Sequence, residues 1–195
     1  MTSIPARIVA LAAGLFLGAA STTVAAGGSL PGDSVYQLDL PLTGQDGKTR
    51  DWETLRGKPR LVSMFYTSCQ YICPLIVDSG KAIEHVLAPA QRERLGIVLI
   101  SMDPARDDPA ALSAVVGQRK LDTDRWLLAS PREGDVRSVA GVLGIRYREL
   151  ADGEFNHTSA LVLLDAEGRI VARTEQLGTR PDPEFVAATR ALLGK

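Results

Sequence analysis

The chain has 195 residues, 45% of them hydrophobic and 23% charged, proportions that are ordinary for a globular domain and exclude wholesale disorder or a collagen-like repeat. Lys and Arg number 22 and Asp and Glu 23, for a formal net charge of −1. The chain thus lacks the excess of positive charge that is typical of proteins that bind nucleic acid or an anionic membrane surface. Thiol and imidazole chemistry is limited to two cysteines, Cys69 and Cys73, and two histidines, His85 and His157.

The N-terminal residues are typical of a secretory leader. Arg7 precedes an apolar run, Ile8 to Ala20, and small residues follow up to Ala26, as in the charged, apolar and cleavage regions of a signal peptide. The run is shorter than the roughly 20 residues that cross a bilayer, so a retained membrane anchor is the less favoured alternative. We expect an exported protein, in a bacterial periplasm, that contacts membranes only through partners. The expected divisions are a signal peptide over 1–26, a Gly/Ser/Pro linker over 27–34 and a folded domain over 35–195.

Strands and helices alternate along the folded domain. The Asp46-Gly47 turn predicts a short strand pair within 35–50. Three continuous apolar runs predict buried strands: Arg60–Tyr66, Ile97–Met102 and Trp126–Ala129. Helices are predicted from Pro74 and Pro109, because proline suits a first helical turn, and over 135–143 and 183–193. A hairpin is predicted from His157–Leu164 and Arg169–Thr174.

This order of elements predicts the fold class. Continuous apolar strands separated by helices imply a sheet that is covered on both faces. The succession is that of an α/β, thioredoxin-like fold: a central mixed sheet flanked by helices, with an inserted strand–helix unit and an N-terminal extension. A fold of this class does not by itself fix a function.

The cysteine pair lies where the first buried strand passes into the first long helix. Cys69 and Cys73, with three residues between them, can close a disulfide or share one metal ion. The positive end of the helix favours a thiolate, which is the form that attacks disulfides and binds metals. A structural disulfide and two merely buried thiols stay open as alternatives, although a bridge over so short a loop adds little stability.

His157 is the third candidate ligand. In a thioredoxin-like sheet the predicted start of its strand faces the tip of the first helix, so we expect the imidazole to meet both sulfurs. Two thiolates and one imidazole suit Cu(I), whereas Zn(II) prefers a fourth ligand. The alternative is a hydrogen-bonded histidine at a strand end. His85 lies within the first long helix and is interpreted as a solvated residue.

Three segments of the chain resemble the signature blocks of the SCO/SenC family. They are Thr67–Pro74 (TSCQYICP), Ser101–Pro109 (SMDPARDDP) and Asn156–Ser159 (NHTS), in the family's order and spacing. The resemblance implies a thioredoxin-like protein in which Cys69, Cys73 and His157 hold one copper ion, Cu(I) or Cu(II). It also implies a role in assembling the binuclear copper centre of cytochrome c oxidase. The implied partners are a copper-donor protein, the copper-site subunit of the oxidase and an external thiol reductant.

The chain also departs from the family pattern. Many relatives have acidic residues where Gln70 and Asn156 stand, and most keep an N-terminal membrane anchor. The two uncharged residues remove negative charge that bears on the copper oxidation state and on partner docking. The middle block has a structural explanation, because Asp107 or Asp108 caps the helix that Pro109 begins.

Two functional hypotheses follow. In the favoured one, the protein is a metallochaperone that captures one copper ion and yields it to a partner by ligand exchange. In the other, Cys69 attacks a partner's disulfide and Cys73 resolves the mixed disulfide, as in a thiol–disulfide reductase. Whether the protein is an enzyme is therefore left open. A peroxidase is the weakest reading, because the segment around the cysteines offers no Arg or acid to handle the leaving oxygen.

Overall fold

A seven-stranded mixed sheet is the centre of the computed structural model, which describes residues 29–69 and 72–194. The strands of these residues are β1 (Pro41–Gly44), β2 (Thr49–Asp51), β3 (Arg60–Phe65), β4 (Gly96–Ser101), β5 (Trp126–Pro131), β6 (Tyr147–Glu149), β7 (Phe155–His157), β8 (Leu161–Leu164) and β9 (Ile170–Thr174). The order across the large sheet is β2-β1-β5-β4-β3-β8-β9. Strands β3, β4 and β5 run parallel, and the other pairings are antiparallel.

The helices of the described residues flank this sheet. They are α1 (Ile72–Val86), α2 (Pro89–Glu93), α3 (Pro109–Arg119), α4 (Val136–Val142) and α5 (Pro183–Leu193). The prediction of an α/β fold with a central mixed sheet flanked by helices is confirmed. No helix within the described ranges is long and apolar enough to cross a bilayer. The signal peptide predicted over 1–26 and the departure at Gln70 lie outside the described residues.

The apolar runs form the central strands, where both faces of the sheet are covered. All residues of β4 and β8 are buried, and so are those of β3 after Arg60. Such strands lose the alternation of polar and apolar residues that marks a half-exposed strand. The carboxyl ends of β3 and β4 lie side by side, with Phe65 opposite Ser101. The loops that follow these two strands therefore meet at one end of the sheet.

The prediction of one continuous strand from His157 to Leu164 is wrong. His157 ends β7, which pairs with β6 in a separate two-stranded sheet where Tyr147 lies opposite His157. Core strand β8 begins only at Leu161. Between the two strands the chain passes from one sheet to the other: the Thr158 N–H donates to the carbonyl of Arg146 at 2.8 Å, and the carbonyl of Ala160 accepts from the Ser63 hydroxyl at 2.6 Å.

Candidate metal centre

The two cysteines lie together at the carboxyl end of β3. Cys69 is 8% exposed and Cys73, in the first turn of α1, is 4% exposed. The backbone N–H of Cys73 donates to the Cys69 sulfur at 3.3 Å, and the Cys73 sulfur accepts from the backbone N–H of Tyr66 at 3.4 Å. Neither cysteine is in a disulfide, and both line one cavity of about 190 Å³. The structure thus brings the predicted pair together.

Burial dominates the chemistry of Cys73. Loss of hydration raises the pKa of its thiol far above the ordinary value, and the hydrogen bond from the Tyr66 N–H offsets only part of this. We expected the helix end to favour a thiolate, and for Cys73 that expectation is wrong because desolvation is the larger effect. At neutral pH Cys73 is therefore a thiol, and a metal ion that binds its sulfur must displace the proton.

A buried carboxylate holds the loop that carries Cys69. Asp107 is fully buried and accepts hydrogen bonds from the Thr67 N–H at 3.1 Å and the Thr67 hydroxyl at 2.5 Å. It also accepts from the hydroxyl of Ser101, at the end of β4, at 2.5 Å. Burial raises the pKa of Asp107, although these hydrogen bonds act in the opposite direction. Asp107 thereby ties the loop after β3 to the adjacent strand.

The sequence left open whether Asp107 or Asp108 caps α3, and the structure separates their roles. The side chain of Asp108 accepts the Ala111 N–H at 2.8 Å and is the cap. Asp107 was missed as a residue of the candidate site. The signal in the sequence was the presence of two adjacent aspartates. A helix needs only one of them as a cap, so the other, Asp107, was available for a different role.

His157 is half-buried and offers one free ring nitrogen. Its Nδ1 lies 3.3 Å from the carbonyl oxygen of Thr158 and 3.4 Å from the hydroxyl of Ser159. Its Nε2 is buried and has no hydrogen-bond partner among the residues that the structure describes. Burial lowers the pKa of His157, so the ring is neutral at neutral pH. A neutral imidazole with Nδ1–H bonded to a carbonyl leaves the Nε2 lone pair available to a metal ion.

Tyr66 connects His157 to the cysteine loop. Its backbone contacts both cysteines, because its carbonyl accepts the Cys69 N–H at 3.4 Å in addition to the bond to the Cys73 sulfur. Its ring contacts the ring of His157 edge to face, with 6.0 Å between centroids. Within residues 29–69 and 72–194, no three His, Cys, Asp or Glu side chains form a group close enough to hold a metal ion. The expectation that the imidazole of His157 meets both sulfurs is therefore not met in the structure. Tyr66 is the residue that contacts both His157 and the cysteines.

The remaining histidine is confirmed as a solvated helix residue. His85 is exposed in the last turn of α1. Asn156, the second departure from the family pattern, is exposed on β7 beside His157. The absence of a carboxylate at that position leaves the imidazole without an adjacent acidic partner on its own strand.

Comparison with known proteins identifies the family. A model of the SCO1/SenC family matches residues 31–193, almost the whole of the described chain. The chain therefore belongs to the SCO1/SenC family, as its three sequence blocks indicated. A Stutzerimonas stutzeri protein named for copper binding is 36% identical over 135 residues, which make up 67% of this chain and 65% of the relative.

Solved structures support the same fold. The structure of Bradyrhizobium japonicum ScoI with copper bound superposes with a TM-score of 0.64 at 24% identity, over 78% of this chain and 96% of that one. BsSco, described as having a disulfide switch and as a member of the Sco family of cytochrome c oxidase assembly proteins, gives a TM-score of 0.64 at 20% identity, over 78% of this chain and 90% of its own.

Proposed function

We propose that the protein is a copper-binding assembly factor that captures one copper ion and passes it toward the binuclear copper site of cytochrome c oxidase. The ligands are the sulfurs of Cys69 and Cys73 and the Nε2 atom of His157. The observation that carries the proposal is the buried Nε2 atom of His157. It has no hydrogen-bond partner among the described residues, and its ring contacts Tyr66, whose backbone binds both cysteines. Family membership and the copper named for relatives support it.

The donor set suits copper rather than a hard cation. Thiolates are soft ligands that select Cu(I), and imidazole binds copper as well. Loading deprotonates the Cys73 thiol, and the buried surroundings then hold the thiolate only as long as the cation stays beside it. Such a site releases copper when a partner offers replacement sulfur or nitrogen ligands one at a time. Cargo exchange by this route requires no net redox change.

The proposal includes the setting in which the exchange occurs. The leader pattern of residues 1–26 supports an exported protein, which meets a copper-donor protein and the copper-site subunit of the oxidase in the periplasm. A disulfide between Cys69 and Cys73 cannot act as a dithiolate ligand. An external thiol reductant must therefore supply two electrons and two protons whenever the pair becomes oxidised in that compartment.

A thiol–disulfide reductase is the second candidate. The N–H of Cys73 donates to the Cys69 sulfur at 3.3 Å, a contact that stabilises a thiolate at Cys69. In this reaction Cys69 attacks one sulfur of a partner's disulfide and the partner's other sulfur leaves as a thiolate. The Cys73 sulfur then attacks the mixed disulfide, so the partner gains two electrons and the pair ends as a disulfide. The disulfide switch described for BsSco supports keeping this candidate.

The test is metal analysis of the reduced, exported protein after it has been exposed to Cu(I) and desalted. The wild type should retain about one copper per chain, and Cys69→Ser, Cys73→Ser and His157→Ala should each weaken binding strongly. His85→Ala is the matched control, because it removes the other, exposed histidine and should bind like the wild type. Wild-type affinity in His157→Ala would disprove the three-ligand site. If that variant also reduced a model disulfide at the wild-type rate, the reductase would be the better assignment.

A further inference from the structure

The side chain of Tyr66 makes hydrogen bonds with residues that are not proposed copper ligands. Its hydroxyl donates to a carboxylate oxygen of Glu154 at 2.8 Å and accepts the backbone N–H of Phe155 at 3.4 Å. Its ring also meets the ring of Phe155 edge to face at 5.2 Å between centroids. The hydroxyl also interacts with the side chain of Cys69.

These bonds reach the strand that carries His157. Glu154 directly precedes β7, Phe155 begins it and His157 ends it. Strands β6 and β7 form a sheet of only two short strands, and a lone pair of strands is marginally stable in water. The position of His157 therefore depends on the contacts that fix this small sheet to the body of the domain.

Tyr66 makes such contacts from the residue that also touches the thiols. Its backbone N–H binds the Cys73 sulfur and its carbonyl accepts the Cys69 N–H. One residue thus binds the cysteine loop and, through its hydroxyl, the carboxylate that precedes the His157 strand. A change at Glu154 removes the contact to the strand and leaves the contacts of Tyr66 with the cysteine loop in place.

We propose that Tyr66 and Glu154 are positioning residues for copper capture: the hydroxyl–carboxylate bond holds β7 so that His157 can join the two sulfurs on one ion. This inference rests on the proposed function and extends it to residues that do not touch the metal. Hydrogen bonds to charged groups are stronger than neutral ones, and the loss of one such bond corresponds to a change of about tenfold in an equilibrium constant. Without the bond, part of the binding energy must go into fixing β7.

The test is Cu(I) affinity of the reduced protein in competition with bathocuproine disulfonate. Tyr66→Phe should weaken binding at least tenfold and Glu154→Ala about tenfold. The double variant should be no weaker than Tyr66→Phe, because the Tyr66 change already breaks the bond that Glu154→Ala removes. Glu154→Gln keeps an oxygen acceptor and should bind within a few-fold of the wild type. Tyr147→Phe is the matched control: it removes a hydroxyl from the same small sheet, one with no hydrogen bond among the described residues, and should leave affinity unchanged.

A second measurement separates positioning from general damage. In the His157→Ala background Glu154→Ala should leave Cu(I) affinity unchanged, because Glu154 acts through His157. In the protein without added copper, the NMR signals of the His157 ring should shift or broaden in Tyr66→Phe and not in Tyr147→Phe.

The outcomes distinguish this inference from the proposed function. If Glu154→Ala binds copper like the wild type, or if its effect persists without His157, the positioning role is overturned. Additive losses in the double variant would overturn it as well. Wild-type affinity in His157→Ala itself would instead overturn the three-ligand site.

Discussion

Asp107 accepts two hydrogen bonds from Thr67, one from the backbone N–H at 3.1 Å and one from the hydroxyl at 2.5 Å. Thr67 lies in the loop between β3 and Cys69, and Asp107 lies just before α3, so this pair joins two loops at the same end of the sheet. The shape of the cysteine loop is therefore set from the side of β4 as well as by α1.

Asp107→Ala should destabilise the fold and weaken copper binding together. The change leaves the donors of Thr67 and Ser101 buried without an acceptor, at a cost of about 3 kcal/mol in the free energy of unfolding. Urea denaturation measures it. Asp108→Ala is the control, because it removes only the cap of α3, at a cost of about 1 kcal/mol, and leaves the cysteine loop in place. Equal losses in the two variants would show that Asp107 does not hold the loop.

Copper loading should release protons. Because burial raises the pKa of Cys73 above its ordinary value, this thiol is protonated at neutral pH and must lose its proton when its sulfur binds Cu(I). Calorimetry of Cu(I) transfer in two buffers of different ionisation enthalpy should therefore report at least one proton released per ion. Cys73→Ser should release fewer protons than the wild type. Binding without proton release would mean that both thiols are already ionised.

Gly80→Ala should destabilise the protein although alanine favours helices. A Cβ atom at Gly80 would lie 2.6 Å from the ring of Trp126, a side chain that is only 2% exposed. Overpacking of this kind costs about 1–3 kcal/mol, more than the helix-propensity gain of about 1 kcal/mol. Gly117→Ala is the matched change within α3, where a Cβ meets nothing within 4 Å, and should stabilise the fold. Thermal denaturation of both variants decides, and a more stable Gly80→Ala protein would contradict the packing.

The cap of α5 should titrate in acid. The hydrogen bond from the Thr174 hydroxyl, at 2.8 Å, lowers the pKa of Asp182 below its ordinary value of 3.8. A carboxyl with a lowered folded-state pKa stabilises the fold above its unfolded pKa, and this contribution is lost as the pH falls through the folded-state value. The stability deficit of Asp182→Ala should thus be full at pH 7 and shrink below pH 4. Asp182→Asn, which keeps a capping oxygen that does not ionise, should show less of this pH dependence. A deficit that does not change with pH would contradict the assignment.

The sequence predicted the elements whose signals are local. The predictions of a helix from Pro109 and of one over 183–193 correctly placed the starts of α3 and α5. The apolar runs correctly placed β3 and β4. Strand β6 was missed because its three residues, Tyr147–Glu149, contain no apolar run, and their pairing with β7 depends on contacts distant in sequence. The same pairing separates His157 from β8.

In the candidate site, too, only the residues with a local sequence signal were predicted. The spacing of Cys69 and Cys73 and the family blocks pointed to the thiol pair directly. The residues that organise it, Tyr66 and Asp107, were not found, because each acts through partners about 40 to 90 positions away in the chain. No local sequence pattern identifies a tyrosine whose backbone N–H donates to a cysteine sulfur and whose hydroxyl donates to a glutamate. Only the tertiary structure brings these groups together.

X-ray absorption at the copper edge of the reduced, Cu(I)-loaded protein tests the central claim most directly, since it counts the ligand atoms on the ion. Two sulfur scatterers and one nitrogen scatterer are expected in the wild type and in His85→Ala, with the nitrogen lost in His157→Ala. Copper held by sulfur alone, with the same spectrum in the wild type and in His157→Ala, would contradict the account.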